Sequence, residues 1–453
     1  MKKIEFRSIL ASACAVFILM GALSGCTQTQ SGSEATTQAV TTTADAQTPA
    51  TESANSGPSG TITIWSWEDE AIAEAATQFN VKYPNVKIEY TPVGSAEYLQ
   101  KLQTALSSGT DLPDVASLEI DSRGRLFTLD CWENLESEDY GFDKSLILDY
   151  LIPLNTNDKG EFVGIDWQVC VAGIAYKRDL AREHFGTDDH EELGKILSNW
   201  DAYVTEGIRI KDATGGKVKM FAGLGDINRI VFNQVTNPII TDNKIEMSAF
   251  KNLFEIQAML RDAGVVGQLD IWSPAWSASF GDSEHIFYPC STPIPYFIIE
   301  QNAPETRGNW GMIVPPNGGF NWGGLSLAIS KTSNNKQAAW AFIEWLLLSD
   351  EGVKFNDEVT QYPTPLKAKY DDPAYVSAPS EFFGGQDLKD MFFNVLMPSM
   401  KVRPLTIYDP GLWDIVGLET ADLKSNPNLT AEQALEKAIA EVGSKMPELE
   451  IIQ

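Results

Sequence analysis

Apolar and polar positions change rhythm along the chain, and the rhythm marks out the elements. Residues 61–67 (TITIWSW) are β-branched and aromatic, bounded by Gly60 and by Glu68, Asp69 and Glu70. That pattern predicts a buried strand running into a helix N-terminus. Ile72, Ala75, Ala76 and Phe79 then return at i, i+3, i+4 and i+7, one apolar stripe on a helix that Tyr83-Pro84 ends. A strand is expected over 86–92. Leu99, Leu102 and Leu106 predict a second helix closed by Gly109, and 115–120 a third strand after the turn Leu112-Pro113-Asp114. The order β-α-β-α-β calls for right-handed crossovers and a parallel sheet with helices on both faces. In such a sheet ligands bind beyond the carboxyl ends of the strands.

Further along, 162–176 reads as one long extended segment. Ser248 is placed to cap a helix carrying Leu253, Ile256, Gln257 and Leu260, with a stop at Gly264. Residues 322–330 (WGGLSLAIS) read as a strand leading into a helix over 335–349 that is apolar on nearly every side and so buried. Thr430 and Gln433 form a capping box ahead of Leu435, Ala438, Ile439 and Val442 at helical spacing. No internal repeat is present.

The first residues carry a different signal. Lys2, Lys3 and Arg7 precede an apolar run over 9–23 that is too short to span a bilayer, the pattern of a secretory signal. The run ends in Leu23-Ser24-Gly25-Cys26, which resembles the lipobox of bacterial lipoproteins and implies cleavage after residue 25 and acylation of Cys26. Two acyl chains suffice to hold a protein on a membrane it does not cross. Residues 26–60 are almost all Thr, Ser, Gln, Ala, Gly and Pro, with too little apolar surface to offset ordering, and predict a flexible tether with a reach on the order of 30 Å.

The net charge of −28 argues against nucleic acid and anionic lipid as partners, since both need basic patches. About 390 residues remain after the tether, enough for two lobes, and 43% hydrophobic content supports real cores. Cys131, Cys170 and Cys290 lack metal-ligand spacing; three buried thiols are expected rather than one disulfide and a free thiol. With His184, His190 and His285 the only histidines, no zinc site is expected, nor any cofactor.

Several segments in order resemble one family. They are ITIWSW with its helix ending at Tyr83-Pro84; LPDVASLEID; GEFVGIDWQVCVAGIAYKRDL; and NWGMIVPP through WGGLSLAISKTSNNKQAAWAFIEWLLLSDEG. Over most of residues 60–445 the chain resembles the extracellular solute-binding proteins of ABC sugar importers, the group containing the maltose-binding protein. The resemblance implies two α/β lobes, each a mostly parallel sheet flanked by helices, closing like a clamshell around a solute. It implies crossings near 169–171, 310–316 and 366–371, hence lobes of 61–169 with 316–368 and of 170–315 with 369–453. Asp166 replaces a Pro common in the crossover strand, and Tyr176-Lys177 replaces the usual Tyr-Asn.

A sugar-binding site needs aromatic planes for the apolar ring face and carboxylates or amides for paired hydroxyls. Trp67 and Glu68, beside Trp65 and Asp69, close the first strand. Glu119 and Asp121 close the third, and Asp121 falls where the resemblance puts a ligand-binding Asp, its bland alternative being a helix N-cap. Trp167 and Gln168 precede the first crossing, and strand alternation lets one of them face the cleft, Trp167 by preference. Trp272 with Trp276, Tyr288, Trp322 ahead of Gly323-Gly324, Tyr408 and Trp413 are further candidates, each with a core role as its bland alternative. The expected protein is a lipid-anchored monomer on the extracellular face that captures a carbohydrate and hands it to an ABC permease. A binder of polyamines or peptides is the first alternative. A secreted glycoside hydrolase is the second, although no GxSxG, HExxH, P-loop or dinucleotide fingerprint occurs.

Overall fold

The structure is a computed structural model that describes residues 57–110 and 112–452; Cys26, the signal and all but the end of the tether lie outside the described residues. A five-stranded sheet of order β2-β1-β3-β11-β4 is built from β1 (Gly60–Ser66), β2 (Val86–Pro92), β3 (Val115–Glu119), β4 (Ile165–Asp166) and β11 (Leu325–Ile329). Ile62 and Ile64 alternate inward along β1 and are fully buried. Helix α1 (Asp69–Lys82) turns Ile72, Ala75 and Phe79 into the same core, where Phe79 meets Phe342 and Trp345 edge-on at 5.4 and 5.7 Å. Those two belong to the helix Lys336–Leu348, which is buried on nearly every side as its composition predicts. Burying one such aromatic contributes on the order of 2 to 3 kcal/mol. Helix α2 (Ser95–Ser108) stops at Gly109, whose φ of 66° is left-handed and costs a glycine nothing.

Pairing is parallel from β1 to β2 and from β1 to β3, as the β-α-β-α-β order requires. Beyond β3 the expectation of a parallel sheet fails in detail: β11 runs antiparallel to β3, from Leu325 opposite Glu119 to Ile329 opposite Val115, and β4 is antiparallel to β11. A strand arriving from far along the chain is not bound by the crossover rule. The second sheet, of order β10-β5-β9-β6, joins β5 (Ala172–Lys177), β6 (Lys219–Phe221), β9 (His285–Ser291) and β10 (Trp310–Ile313). Only β6 with β9 is parallel there. A small third sheet orders β12 (Glu450–Ile452), β8 (Lys244–Glu246) and β7 (Ile240–Thr241).

The extended stretch 162–176 is not one strand. It divides into β4 and β5, which belong to different sheets, and the backbone amides of Trp167 and Gln168 between them both donate to the Leu325 carbonyl. Trp322–Gly324 also precede the strand instead of belonging to it: Gly323 and Gly324 have φ of 96° and 139°, conformations that exclude side chains. Ser248 is the first residue of its helix, not its cap, and makes no capping bond. The reason is local, because the Met247 amide is bonded to the Ile452 carbonyl and carries the β8–β12 pairing up to the first turn. The capping box is present as read, Thr430 Oγ1 accepting from the Gln433 amide at 3.1 Å and Gln433 Oε1 from the Thr430 amide at 3.0 Å. Cys131, Cys170 and Cys290 are free and buried, and burial pushes the Cys131 and Cys170 thiols up to about 12.

Candidate functional site

The carboxyl ends of β1 and β3 meet through Tyr98 of α2. Its hydroxyl donates to the Trp65 carbonyl at 3.0 Å and accepts from the Ser117 amide at 2.8 Å, while its ring meets Trp67 edge-on at 5.5 Å. At the end of β3, Glu119 caps α3 (Ile120–Phe127) by accepting from the Asp121 amide at 2.8 Å. The cap role foreseen for Asp121 therefore falls to Glu119, and the Asp121 side chain is left half exposed. Burial, reinforced by the Asp121 charge, raises the Glu119 carboxyl well above the usual carboxylate range.

Glu119 and Asp121 open onto a cleft of about 550 Å³. Its other walls are the helix Leu224–Asn233 with Asn228 and Arg229, the loop at Asp270 and Ile271, and the helix Asp409–Ser425 with Trp413, Asp414 and Lys424. Glu119 and Lys424, 305 positions apart in the chain, thus face one space. Arg229 ties the walls together, its Nη1 3.8 Å from Asp121 and its guanidinium 4.6 Å over the Trp413 ring. Phe232 supports that ring edge-on from the next turn of its helix, at 4.9 Å. A smaller hollow of about 50 Å³ shares Asp121 and Trp413 and adds Trp322 and Gly323.

The structure brings together Glu119, Asp121, Trp322 and Trp413 of the residues singled out in the sequence. Trp272 adjoins them: half-buried, it lies 5.4 Å from Trp322 and 5.3 Å from Trp276, with a left-handed φ of 67° that a tryptophan rarely adopts. Trp67, Glu68 and Gln168 sit at the β1 end but outside the lining of either space. Gln168 Nε2 donates to Glu68 Oε1 at 2.9 Å and to the Tyr362 hydroxyl at 2.8 Å.

Four of the aromatics singled out in the sequence lie outside both linings. Trp167, preferred over Gln168, is the buried one of the pair, and its indole donates to Asn356 Oδ1 at 2.7 Å; without a continuous strand the alternation that favoured it does not apply. Tyr288 is fully buried in β9, its hydroxyl donating to the Ser279 carbonyl at 2.9 Å, because both faces of the second sheet are covered. Tyr408 precedes the Asp409–Ser425 helix outside both linings, its hydroxyl pKa raised by partial burial and then by Glu448. Trp276, named beside Trp272, is core: its indole donates to Asp226 Oδ1 at 2.9 Å, and burial pushes that carboxyl up to about 7.

Sequence reasoning missed Asn228, Arg229, Asp270, Asp414 and Lys424. One signal was present: Asn228 and Arg229 interrupt an otherwise apolar face of Leu224, Ile227, Ile230, Val231 and Phe232. Among the described residues no group of His, Cys, Asp or Glu is arranged to hold a metal ion.

The sheet order and cleft define an α/β binding fold, and comparison with known proteins supplies its class. A profile of the bacterial extracellular solute-binding proteins matches residues 74–383, and the chain belongs to that family. It is similar to a lactose-binding protein of Rhizobium radiobacter, 25% identical over 375 residues that cover 75% of this chain and 82% of that protein. Its fold matches a crystal structure of an extracellular solute-binding protein of family 1 with a TM-score of 0.74, at 20% identity, over 85% of this chain and 99% of the other. It also matches the ABC-transporter-associated binding protein of B. animalis subsp. lactis Bl-04 in complex with beta-1,6-galactobiose, with a TM-score of 0.69 at 17% identity, over 87% and 100%. The architecture is the two-lobed, clamshell-like one of these binding proteins, and the chain is a solute binder, not an enzyme.

Proposed function

We propose that this protein is a lipid-anchored extracellular receptor that captures a sugar or oligosaccharide between two lobes and delivers it to an ABC import permease. The observation that carries the reading is the cleft itself. Trp413 offers a ring for a sugar face, and Glu119, Asp121 and Asn228 offer paired hydrogen-bonding groups, all within a space of about 550 Å³, the range of small-molecule sites. The name of the lactose-binding relative and the galactobiose bound to a structural neighbour support a carbohydrate in that space.

The lobes are 61–169 with 316–368 and 170–315 with 369–453, so that β1–β4 and β11 fall in one and β5–β10 in the other. A solute touching both walls binds the closed form better than the open one and shifts the population toward closure, and the closed monomer is what the permease engages. Cys26 holds the protein on the membrane by its acyl chains, and among the described residues no helix is long and apolar enough to cross a membrane. The acidic lining favours a second reading, a polyamine or cationic peptide on the same fold.

A thermal-shift screen separates them. Lactose, beta-1,6-galactobiose, maltose and spermidine are each added in large excess, and at least one sugar is expected to raise the melting midpoint by several degrees, since a ligand at ~100 times its Kd adds about 2.7 kcal/mol. A shift with spermidine alone would replace the carbohydrate reading by the second one.

A further inference from the structure

The hydrogen-bonding inventory of the cleft is one-sided. Its lining carries four carboxylates, Glu119, Asp121, Asp270 and Asp414, against two cations, Arg229 and Lys424. Each cation already faces a carboxylate: Arg229 lies 3.8 Å from Asp121, and Lys424 pairs with Asp270. The hydroxyls are committed as well. Tyr98 donates to the Trp65 carbonyl at 3.0 Å, Ser122 to the Glu119 carbonyl at 3.3 Å, and Thr420 to Gln257 Oε1 at 3.3 Å.

Asn228 is the opposite case. It lines the cleft and is 8% exposed, yet its Oδ1 is buried with no donor from the protein. A buried acceptor without a partner is costly, and a bound donor relieves that cost. Carboxyl groups thus outnumber cations in the lining, and each cation already faces one of them.

Building on the carbohydrate reading, we propose that the cleft takes neutral or amine-bearing sugars and rejects anionic ones, with Asn228 as a specificity-determining residue that accepts from a hydroxyl or amine of the solute. A uronate or sialyl group entering here meets Asp121, Asp270 and Asp414, and each cation of the lining already faces a carboxylate. A hydroxyl or ammonium meets acceptors that lack donors. Selection therefore comes as much from repulsion of the wrong sugar as from contact with the right one.

Calorimetric titration of the full chain at pH 7 tests this with three kinds of disaccharide: neutral (lactose, maltose and beta-1,6-galactobiose), amine-bearing (the glucosamine disaccharide) and anionic (digalacturonate). The best neutral or amine-bearing sugar is expected to bind at least about 30-fold more tightly than digalacturonate. Digalacturonate binding as tightly as the best neutral sugar would overturn the selectivity while leaving the carbohydrate reading intact. Absence of heat with every sugar would instead overturn the carbohydrate reading. Asn228→Asp adds an acceptor and a charge, and is expected to shift the ratio of amine-bearing to neutral affinity about 10-fold toward the amine. A uniform loss across sugars with the ratio unchanged would mark Asn228 as merely structural. Asn228→Ser, which keeps a small acceptor, is expected to hold the wild-type ratio and so guards against misfolding of the aspartate variant.

Discussion

Trp413→Ala is expected to weaken binding of the stabilising sugar about 30- to 100-fold, with the protein still folded. Trp413 lines both the cleft and the smaller hollow, so its loss removes an aromatic face from both. A stacked aromatic platform is worth on the order of 2 to 3 kcal/mol through its buried area and ring contact, and 1.4 kcal/mol is tenfold in affinity. A second effect adds to the first. Arg229 sits 4.6 Å over that ring and 3.8 Å from Asp121, and without the ring the guanidinium loses the surface that holds it across the space. Trp413→Phe should recover part of the loss by restoring a smaller face. Titration calorimetry beside a thermal melt checks the expectation; unchanged affinity in a folded Trp413→Ala protein would remove Trp413 from the site.

The largest stability effect is expected at Asp166→Ala, a loss of about 3 to 5 kcal/mol. Arg123 of α3 has a fully buried side chain, and its Nη1 lies 3.0 Å from Asp166 Oδ1 of β4, itself only 2% exposed. Arg123 also donates to the Leu118 carbonyl at 3.2 Å and approaches the Leu154 carbonyl at 3.4 Å, while its Nη2 has no partner. Removing Asp166 strands a buried positive charge that is already incompletely satisfied. Burial outweighs the guanidinium and holds the Asp166 carboxyl above its ordinary range, although Arg123 and a bond from Asn155 oppose the shift. Asp166→Asn, which resembles the protonated acid, should therefore cost less than Asp166→Ala. Urea unfolding at pH 7 measures both. A loss below about 1 kcal/mol for Asp166→Ala would mean that water reaches the guanidinium.

The pair also explains why a Pro need not stand at this point of the chain. Residues 165–166 are the last of the first sheet before the backbone moves to the second, and the ion pair to α3 fixes β4 without the conformational restriction a proline supplies.

Local rules made much of the fold legible. Strand β2 and the closure of α2 at Gly109 follow from residue pattern and turn chemistry, as does the capping box at Thr430, because each is decided by residues a few positions apart. The break at 167–171 was implied by the family resemblance and not by the residues themselves, since an unbroken run of Val, Cys and Ala reads as strand whichever sheet receives its backbone bonds. The same limit applies to the candidate site. Glu119 and Asp121 follow from the rule that ligands sit at strand carboxyl ends, while Asn228, Asp270, Asp414 and Lys424 reach the cleft only through packing of distant helices and a loop. Tyr288 and Trp167 show the converse, since residue type alone does not distinguish a ring that lines a cleft from one that fills a core.

A crystal structure of the full chain grown with the sugar that gives the greatest thermal shift tests the account most directly. The prediction is a sugar ring against Trp413 with hydroxyls in hydrogen-bond reach of Asp121 and Asn228, inside the cleft of about 550 Å³. A sugar bound outside that cleft, with Asp121, Asn228 and Trp413 untouched, would contradict it.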